Sequence, residues 1–221
     1  MYSIVNTDDG SHSLYAEHLK EQYHSKNGAI NESNHVFIQA GLHFAIKHFA
    51  NIHILEIGLG TGLNTILSLK ENKSLNKNIQ YNALEPFPIQ KEIAQQLNYV
   101  SLLGSEFESA FEKIHSDEWG KEIELAPNFH FKKLLQKLED WENDKKYNLI
   151  YFDAFSPATQ PELWTKSVFE KIAGLLMDNG CLVTYCAKGE VKRLLKSAGL
   201  VVESLPGPIG KREMVRAIKQ L

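Results

Sequence analysis

Between Ile52 and Leu69 the hydrophobic period of the chain changes. Ile52-His53-Ile54-Leu55-Glu56-Ile57 is an apolar, β-branched run that predicts a buried strand. It breaks at Gly58, Gly60 and Gly62, and Thr65-Ile66-Leu67-Ser68-Leu69 resumes with helical spacing, predicting a helix over about 62–72. Further strands are expected at 79–84, 128–132, 147–152, 181–186, 200–204 and 212–218. Helices are expected at 34–50 with Ser33 or Asn34 as N-cap, around 134–141, at 168–177 and at 187–198. Residues 89–126 read as helical segments of an enlarged crossover, and Asp178-Asn179-Gly180 as a turn. Pro206-Gly207-Pro208-Ile209-Gly210 suits an antiparallel link between the last two strands. Alternating strands and helices predict an α/β fold. Residues 1–33 depart from that rhythm: an Asp9-Gly10 hairpin turn and a polar stretch from Tyr23 to Ile30 mark an N-terminal appendage. The expected organisation is therefore an appendage over 1–33 and one domain over 34–221.

Composition narrows the class. Hydrophobic residues make 43% of the 221 and charged ones 23%, as in an ordinary globular protein. No apolar run approaches the roughly 20 residues that span a bilayer, and the N-terminus lacks a signal-peptide pattern, so a cytoplasmic protein without membrane contact is expected. Cys181 and Cys186 read as reduced core thiols, and the histidines lack metal-ligand spacing, so no metal is expected. The net charge of −3 hides an asymmetry. From Lys188 to Leu221 eight basic residues face three acidic ones, a balance of +5, which leaves −8 for the rest. One end has the charge to meet a phosphate backbone while the body stays acidic.

Chemistry concentrates at three predicted strand ends. After the first, glycines at 58, 60 and 62 follow Glu56, and the third glycine of a dinucleotide fingerprint is replaced by Leu63. Glu56-x-Gly58-x-Gly60-x-Gly62 is instead the pattern of S-adenosylmethionine (SAM) methyltransferases, where an acidic residue repels a pyrophosphate but suits a cofactor with a sulfonium and an α-amino group. After the second strand, Glu85 can accept two ribose hydroxyls, or alternatively cap the helix after Pro88. After the fourth, Asp153-Ala154-Phe155-Ser156-Pro157 through Trp164 places a carboxylate among aromatics and prolines at the edge where open α/β sheets bind ligands.

Taken together, Glu32-Ser33-Asn34-His35-Val36-Phe37-Ile38, the Leu55–Asn64 glycine loop, Asp153–Pro157 with Pro161–Thr165, and Gly210-Lys211-Arg212-Glu213-Met214 resemble the methyltransferases of tRNA wobble-uridine modification, the MnmC-like or MnmD group, over nearly the whole chain. The resemblance implies a class I SAM-dependent methyltransferase with a Rossmann-like, seven-stranded sheet whose last strand is antiparallel. It also implies methylation of the amine of 5-aminomethyl-2-thiouridine in the tRNA anticodon. No flavin oxidase domain fits in this length, so the stand-alone form is expected, linked in function to a separate wobble-uridine-modifying enzyme. The acidic residue that usually contacts adenine has no counterpart where Lys132 and Lys133 stand, with Glu139 and Asp140 later.

On this basis SAM is expected to be bound by Glu56, Gly58, Gly60, Gly62, Asn64, Glu85 and Asp153, with Asp153 also orienting the amine and taking its proton. Tyr23, His24, Phe155, Pro157 and Trp164 are expected to shape the acceptor pocket. Lys188, Lys192, Arg193, Lys211 and Arg212 are expected to contact tRNA phosphates, so that replacing Lys211 and Arg212 flattens the salt dependence of tRNA binding. The alternatives are a different methyl acceptor, a nicotinamide-dependent oxidoreductase and a non-catalytic RNA-binding module.

Overall fold

The computed structural model describes residues 2–220. The N-terminal residues form a small antiparallel sheet of β1 (Tyr2–Asn6), β2 (His12–Ala16) and β3 (Glu21–Gln22). A continuous helical rod follows: α1 (Ala29–Ser33), a π-helical stretch (Asn34–Leu42) and α2 (His43–His48). It starts earlier than the expected cap at Ser33 or Asn34, and it runs unbroken through the 33/34 boundary. The reason is tertiary. The first backbone N–H groups are capped from the β1–β2 turn, Ala29 N by Thr7 Oγ1 (3.2 Å), Ile30 N by Ser11 Oγ (3.3 Å) and Asn31 N by Asp9 Oδ2 (2.9 Å). Those acceptors satisfy donors that a helix start leaves unpaired.

The main sheet begins with β4 (Asn51–Ile57), which leads through the glycine turn into α3 (Leu63–Leu75) and then β5 (Asn78–Leu84). Short helices α4 (Lys91–Ala94), α5 (Tyr99–Leu103) and α6 (Glu108–Ile114) carry the chain to β6 (Glu122–Ala126) and β7 (Phe129–Leu134). The remainder is β8 (Tyr147–Phe152), α7 (Lys166–Leu175), β9 (Leu176–Thr184), α8 (Gly189–Ser197), β10 (Val201–Pro206) and β11 (Glu213–Ile218). The sheet order is β10-β11-β9-β8-β4-β5-β7-β6, with β11 antiparallel to both its neighbours. The α/β class and the antiparallel last strand match the sequence reading, but among the described residues the sheet has eight strands rather than seven.

The additional strand is β6, antiparallel to β7 at the edge with a register irregularity between Glu124 and Ala126. Its Glu122-Ile123-Glu124-Leu125 pattern buries only Leu125, so the segment carries little of the signal that marks a central strand. Two other expectations fail for related reasons. The helix expected around 134–141 is absent because β7 extends to Leu134 and the chain then runs irregularly, although Leu138 and Trp141 still bury. The Asp178-Asn179-Gly180 turn lies inside β9, where pairing with β8 jumps from Tyr147↔Leu176 to Leu149↔Cys181 and Asn179 takes φ +63°.

Alternation along the strands feeds two cores. Ile54, Tyr81, Phe131, Tyr151 and Val183 pack with the N-terminal rod and α3, whereas Leu55, Ile150, Phe152 and Leu182 pack with α7 and α8. Cys181 and Cys186 are free, buried and assigned to opposite cores. Among the described residues no helix is long and apolar enough to cross a membrane.

Candidate active site

β4 pairs in parallel with β5 on one side and β8 on the other, so the chain order reverses here and the carboxyl edge opens a crevice. The first residues beyond the strands are fixed by continued ladder bonds: Gly58 N to Leu84 O (3.0 Å), Glu85 N to Leu134 O (3.0 Å) and Asp153 N to Ile57 O (3.0 Å). Three motifs separated in sequence thereby share one edge. A cavity of about 820 Å³ lies over it, lined by Gly58, Gly60, Asn64, Glu85, Asp153 and Phe155 and roofed by Tyr23 and His24 of the N-terminal segment.

The glycines are required by geometry. Gly58 has φ +89°, and a Cβ there would sit 2.7 Å from the Asp153 carbonyl oxygen. Gly60 has φ +50°, with the Tyr23 ring 3.1 Å from where a Cβ would stand. Glu85 accepts from Gly60 N (2.9 Å) and Phe87 N (2.8 Å), which leaves each oxygen further acceptor capacity. It therefore braces the glycine turn and does not cap a helix, since α4 begins only at Lys91.

Asn64 is the hub beneath the turn. Its Nδ2 donates to Glu56 Oε1 (2.9 Å) and Asp153 Oδ2 (2.7 Å), while its Oδ1 is buried without a partner. Burial pushes the Asp153 carboxyl up to about 7, opposed by the Asn64 hydrogen bond, with Glu32 raising it further and Lys211 lowering it. Burial likewise pushes Glu56 up to about 8. Glu56 does not line the cavity; it is fully buried and takes hydrogen bonds from Asn64 and Thr65. Glu56, expected to contact the cofactor, thus reaches the cavity only through its hydrogen bond with Asn64.

The acceptor side departs further from expectation. Tyr23 packs edge-to-face on Phe155, with ring centroids 5.0 Å apart. Burial drives the imidazole of His24 down to about 4, so at neutral pH it is uncharged, held between Ser13 Oγ (3.1 Å) and Thr61 Oγ1 (3.4 Å). Trp164 is not a pocket wall: it is buried against Phe152 and donates Nε1–H to Phe155 O (2.8 Å), bracing the loop from behind. Pro157 and Gly62 also lie outside the cavity lining, Gly62 serving as the residue before α3. Glu21 of β3 accepts from Ser156 Oγ (3.3 Å) and from Thr159, tying the small sheet to the Asp153 loop.

Of the cationic residues, Lys188, Arg193 and Arg212 are exposed and outside the cavity, but Lys192 is paired with Glu213 (2.5 Å) and Lys211 with Glu32 (2.6 Å). Lys211 turns inward and lines the cavity rather than facing solvent as a phosphate contact would. Arg216 pairs with Glu203 (2.7 Å), so part of the basic C-terminal excess is neutralised within the fold. Sequence reading missed Glu32 and Tyr185 as lining residues. It also missed Gln136 and Glu139, which the irregular segment after β7 brings to the cavity. An acidic residue four positions into a helix and a tyrosine just past the end of a strand carry no local signal of such a role.

Residues 95–220 match a family model described as S-adenosyl-L-methionine-dependent methyltransferase. The chain is 30% identical over 213 residues to the tRNA 5-methylaminomethyl-2-thiouridine biosynthesis bifunctional protein MnmC of Campylobacter hominis, covering 92% of this chain and 31% of that protein. The chain thus spans about a third of the length of that relative. The crystal structure of MnmC2 from Aquifex aeolicus superposes with a TM-score of 0.76 at 29% identity, covering 99% of this chain and 70% of that one. SAM-bound CalS10, an amino pentose methyltransferase from Micromonospora echinaspora, shares the fold with a TM-score of 0.53 at 8% identity.

Proposed function

The chain belongs to the S-adenosyl-L-methionine-dependent methyltransferase family, and from that premise we propose that it methylates the primary amine of 5-aminomethyl-2-thiouridine at the wobble position of tRNA. The observation that carries this reading is Asp153: a half-buried carboxylate at the sheet's switch point, fixed by Asn64 and opening into a cavity with Phe155 and Tyr23 on its wall. A carboxyl raised to about 7 is suited to exchange a proton with an amine at neutral pH. The aromatic pair supports a stacked, extruded base, as chemistry on a base within a folded loop requires. A volume of about 820 Å³ lies high in the roughly 300–1,000 Å³ range of small-molecule sites and supports a base beside a cofactor. The relatives named for 5-methylaminomethyl-2-thiouridine biosynthesis favour this acceptor over another nucleoside.

When bound, SAM supplies a methyl carbon on a sulfonium that leaves as a neutral thioether. The protein's part is to hold, align and exclude water. The Gly58–Gly60 backbone fits a ligand's close approach because side chains at those positions would fill the space, and Glu85 offers acceptor oxygens suited to ribose hydroxyls. Asn64 holds the Asp153 carboxylate in place to orient the acceptor amine and take its proton. Tyr23 and His24 cover the cavity from the small sheet.

Labelled SAM with tRNA from cells lacking this enzyme, followed by nucleoside analysis, tests the reading. Label on the wobble aminomethyl uridine is expected. Tight SAM binding with the tRNA unlabelled would overturn the acceptor while leaving the family intact.

A further inference from the structure

We propose that Glu32 and the ring face of Tyr185 form a primary-ammonium site inside the cavity, which the Lys211 side chain fills in the free protein and which the acceptor's amine takes over. The inference rests on the acceptor being a primary amine, as proposed above. It starts from an ammonium already seated there. Lys211 Nζ lies 2.6 Å from Glu32 Oε1 and 4.2 Å from the centre of the Tyr185 ring, although Glu32 and Lys211 are 179 residues apart in the chain. A carboxylate on one side and a π-face on the other is an arrangement that recognises –NH₃⁺.

The site is built independently of its present occupant. Glu32 is only 7% exposed, and its second oxygen accepts Ser25 N–H at 2.7 Å, so the carboxylate stays in place when the lysine leaves. Tyr185 is anchored through its hydroxyl, which donates to Ala154 O (2.9 Å) in the loop that carries Asp153. Glu32, Tyr185, Lys211 and Asp153 all line the same cavity. Glu32 and Lys211 also act on the Asp153 carboxyl in opposite senses, so an ammonium seated between Glu32 and Tyr185 lies within electrostatic reach of the carboxylate that takes its proton before the neutral amine attacks.

Lys211 is able to withdraw. Its side chain is 32% exposed, and it stands in the β10–β11 connection beside the exposed Gly210 at φ +83°. Rotation of a flexible four-carbon stem carries its ammonium to water without moving the sheet. Exchange of one ammonium for another leaves the cavity's charge unchanged. A hydroxyl in that place would leave a buried carboxylate unpaired, and a carboxylate would meet both Glu32 and Asp153. The pair thus selects a primary amine over acceptors of the same shape.

The test is titration calorimetry on the full chain saturated with S-adenosylhomocysteine, using the nucleosides 5-aminomethyluridine and 5-hydroxymethyluridine. Loss of the charged partner in Glu32→Gln should weaken amine binding about tenfold or more. Removal of the competing ammonium in Lys211→Met should tighten it about fivefold. Neither change should move hydroxyl binding by the same factor. Weaker amine binding in Lys211→Met, or equal binding of the two nucleosides by the wild type, overturns the inference even if tRNA is methylated. If the wild type methylates no wobble uridine and binds neither nucleoside, the acceptor reading fails instead. The same comparison with benzylammonium against benzyl alcohol then decides the ammonium site: a preference for the amine that Lys211→Met strengthens supports it, and no preference overturns it. Lys211→Met keeps the test valid should Glu32→Gln fail to fold.

Discussion

The two sides of the cavity are held together differently. On one side, Gly58, Gly60 and Glu85 stand one to three residues beyond parallel strands; backbone hydrogen bonds that continue the sheet fix Gly58 and Glu85, and the Gly60 N–H donates to the Glu85 carboxylate. On the other, Glu32, Tyr23, Phe155, Tyr185 and Lys211 come from five separate stretches and are held by side-chain contacts. On the proposed reading, the first arrangement, rigid, serves the cofactor and the second, adjustable, serves the acceptor. Asp153 is where they meet, since its backbone extends the ladder and its carboxylate faces the cavity.

Replacing Asp153 should separate the two sides most sharply. Asp153→Asn keeps the size of the side chain but removes the proton acceptor, so kcat for methyl transfer should fall by about 10²–10⁴-fold. SAM affinity, measured by calorimetry, should change far less; equal losses in both would show that Asp153 serves chiefly the cofactor. In the wild type, the rate should rise with pH through about 7 as the carboxyl loses its proton.

Gly58→Ala tests the rigid side. An alanine at φ +89° with its Cβ against the Asp153 carbonyl should destabilise the fold by about 2–3 kcal/mol, read by denaturant unfolding, and weaken SAM binding as well. An unaffected variant would show that the turn yields and is not rigid.

Glu56 tests what the buried acidic network costs. Its folded value of about 8 lies above the ordinary 4.5, so its stabilising contribution is complete below pH 4.5 and is lost as pH rises through 8. Asp153, raised to about 7, acts in the same direction. The wild type should therefore lose stability steadily between pH 5 and pH 9. Glu56→Gln should flatten that slope, measured as denaturation midpoints across pH, and an unchanged slope would exclude Glu56 as its source.

The smallest effect concerns the surface. Because Lys192 and Lys211 are paired, the phosphate contacts expected at this end fall to exposed Lys188, Arg193 and Arg212. Arg193→Ala with Arg212→Ala should lower the magnitude of the salt slope of tRNA binding by about 0.7–0.9 for each phosphate no longer neutralised. Lys211→Met should leave that slope unchanged, and a reduced slope in Lys211→Met would return the residue to the phosphate-binding set.

What the sequence alone determined was the rigid side. The strand-turn-helix around Gly58, the carboxylates of Glu85 and Asp153 at strand ends, and the antiparallel last strand were legible because period, glycine and strand terminus are local signals, and parallel pairing brings strand ends to one edge. Tertiary structure alone decided the rest. The helix starts at Ala29 because side chains from the β1–β2 turn cap it, and β6 forms because β7 offers an edge to pair with. Glu56 and Trp164 support the site from behind, whereas Glu32 and Lys211 line the cavity together. Whether a charged side chain turns to water or to a partner 179 residues away depends on distances through space, and no local pattern in the chain encodes them.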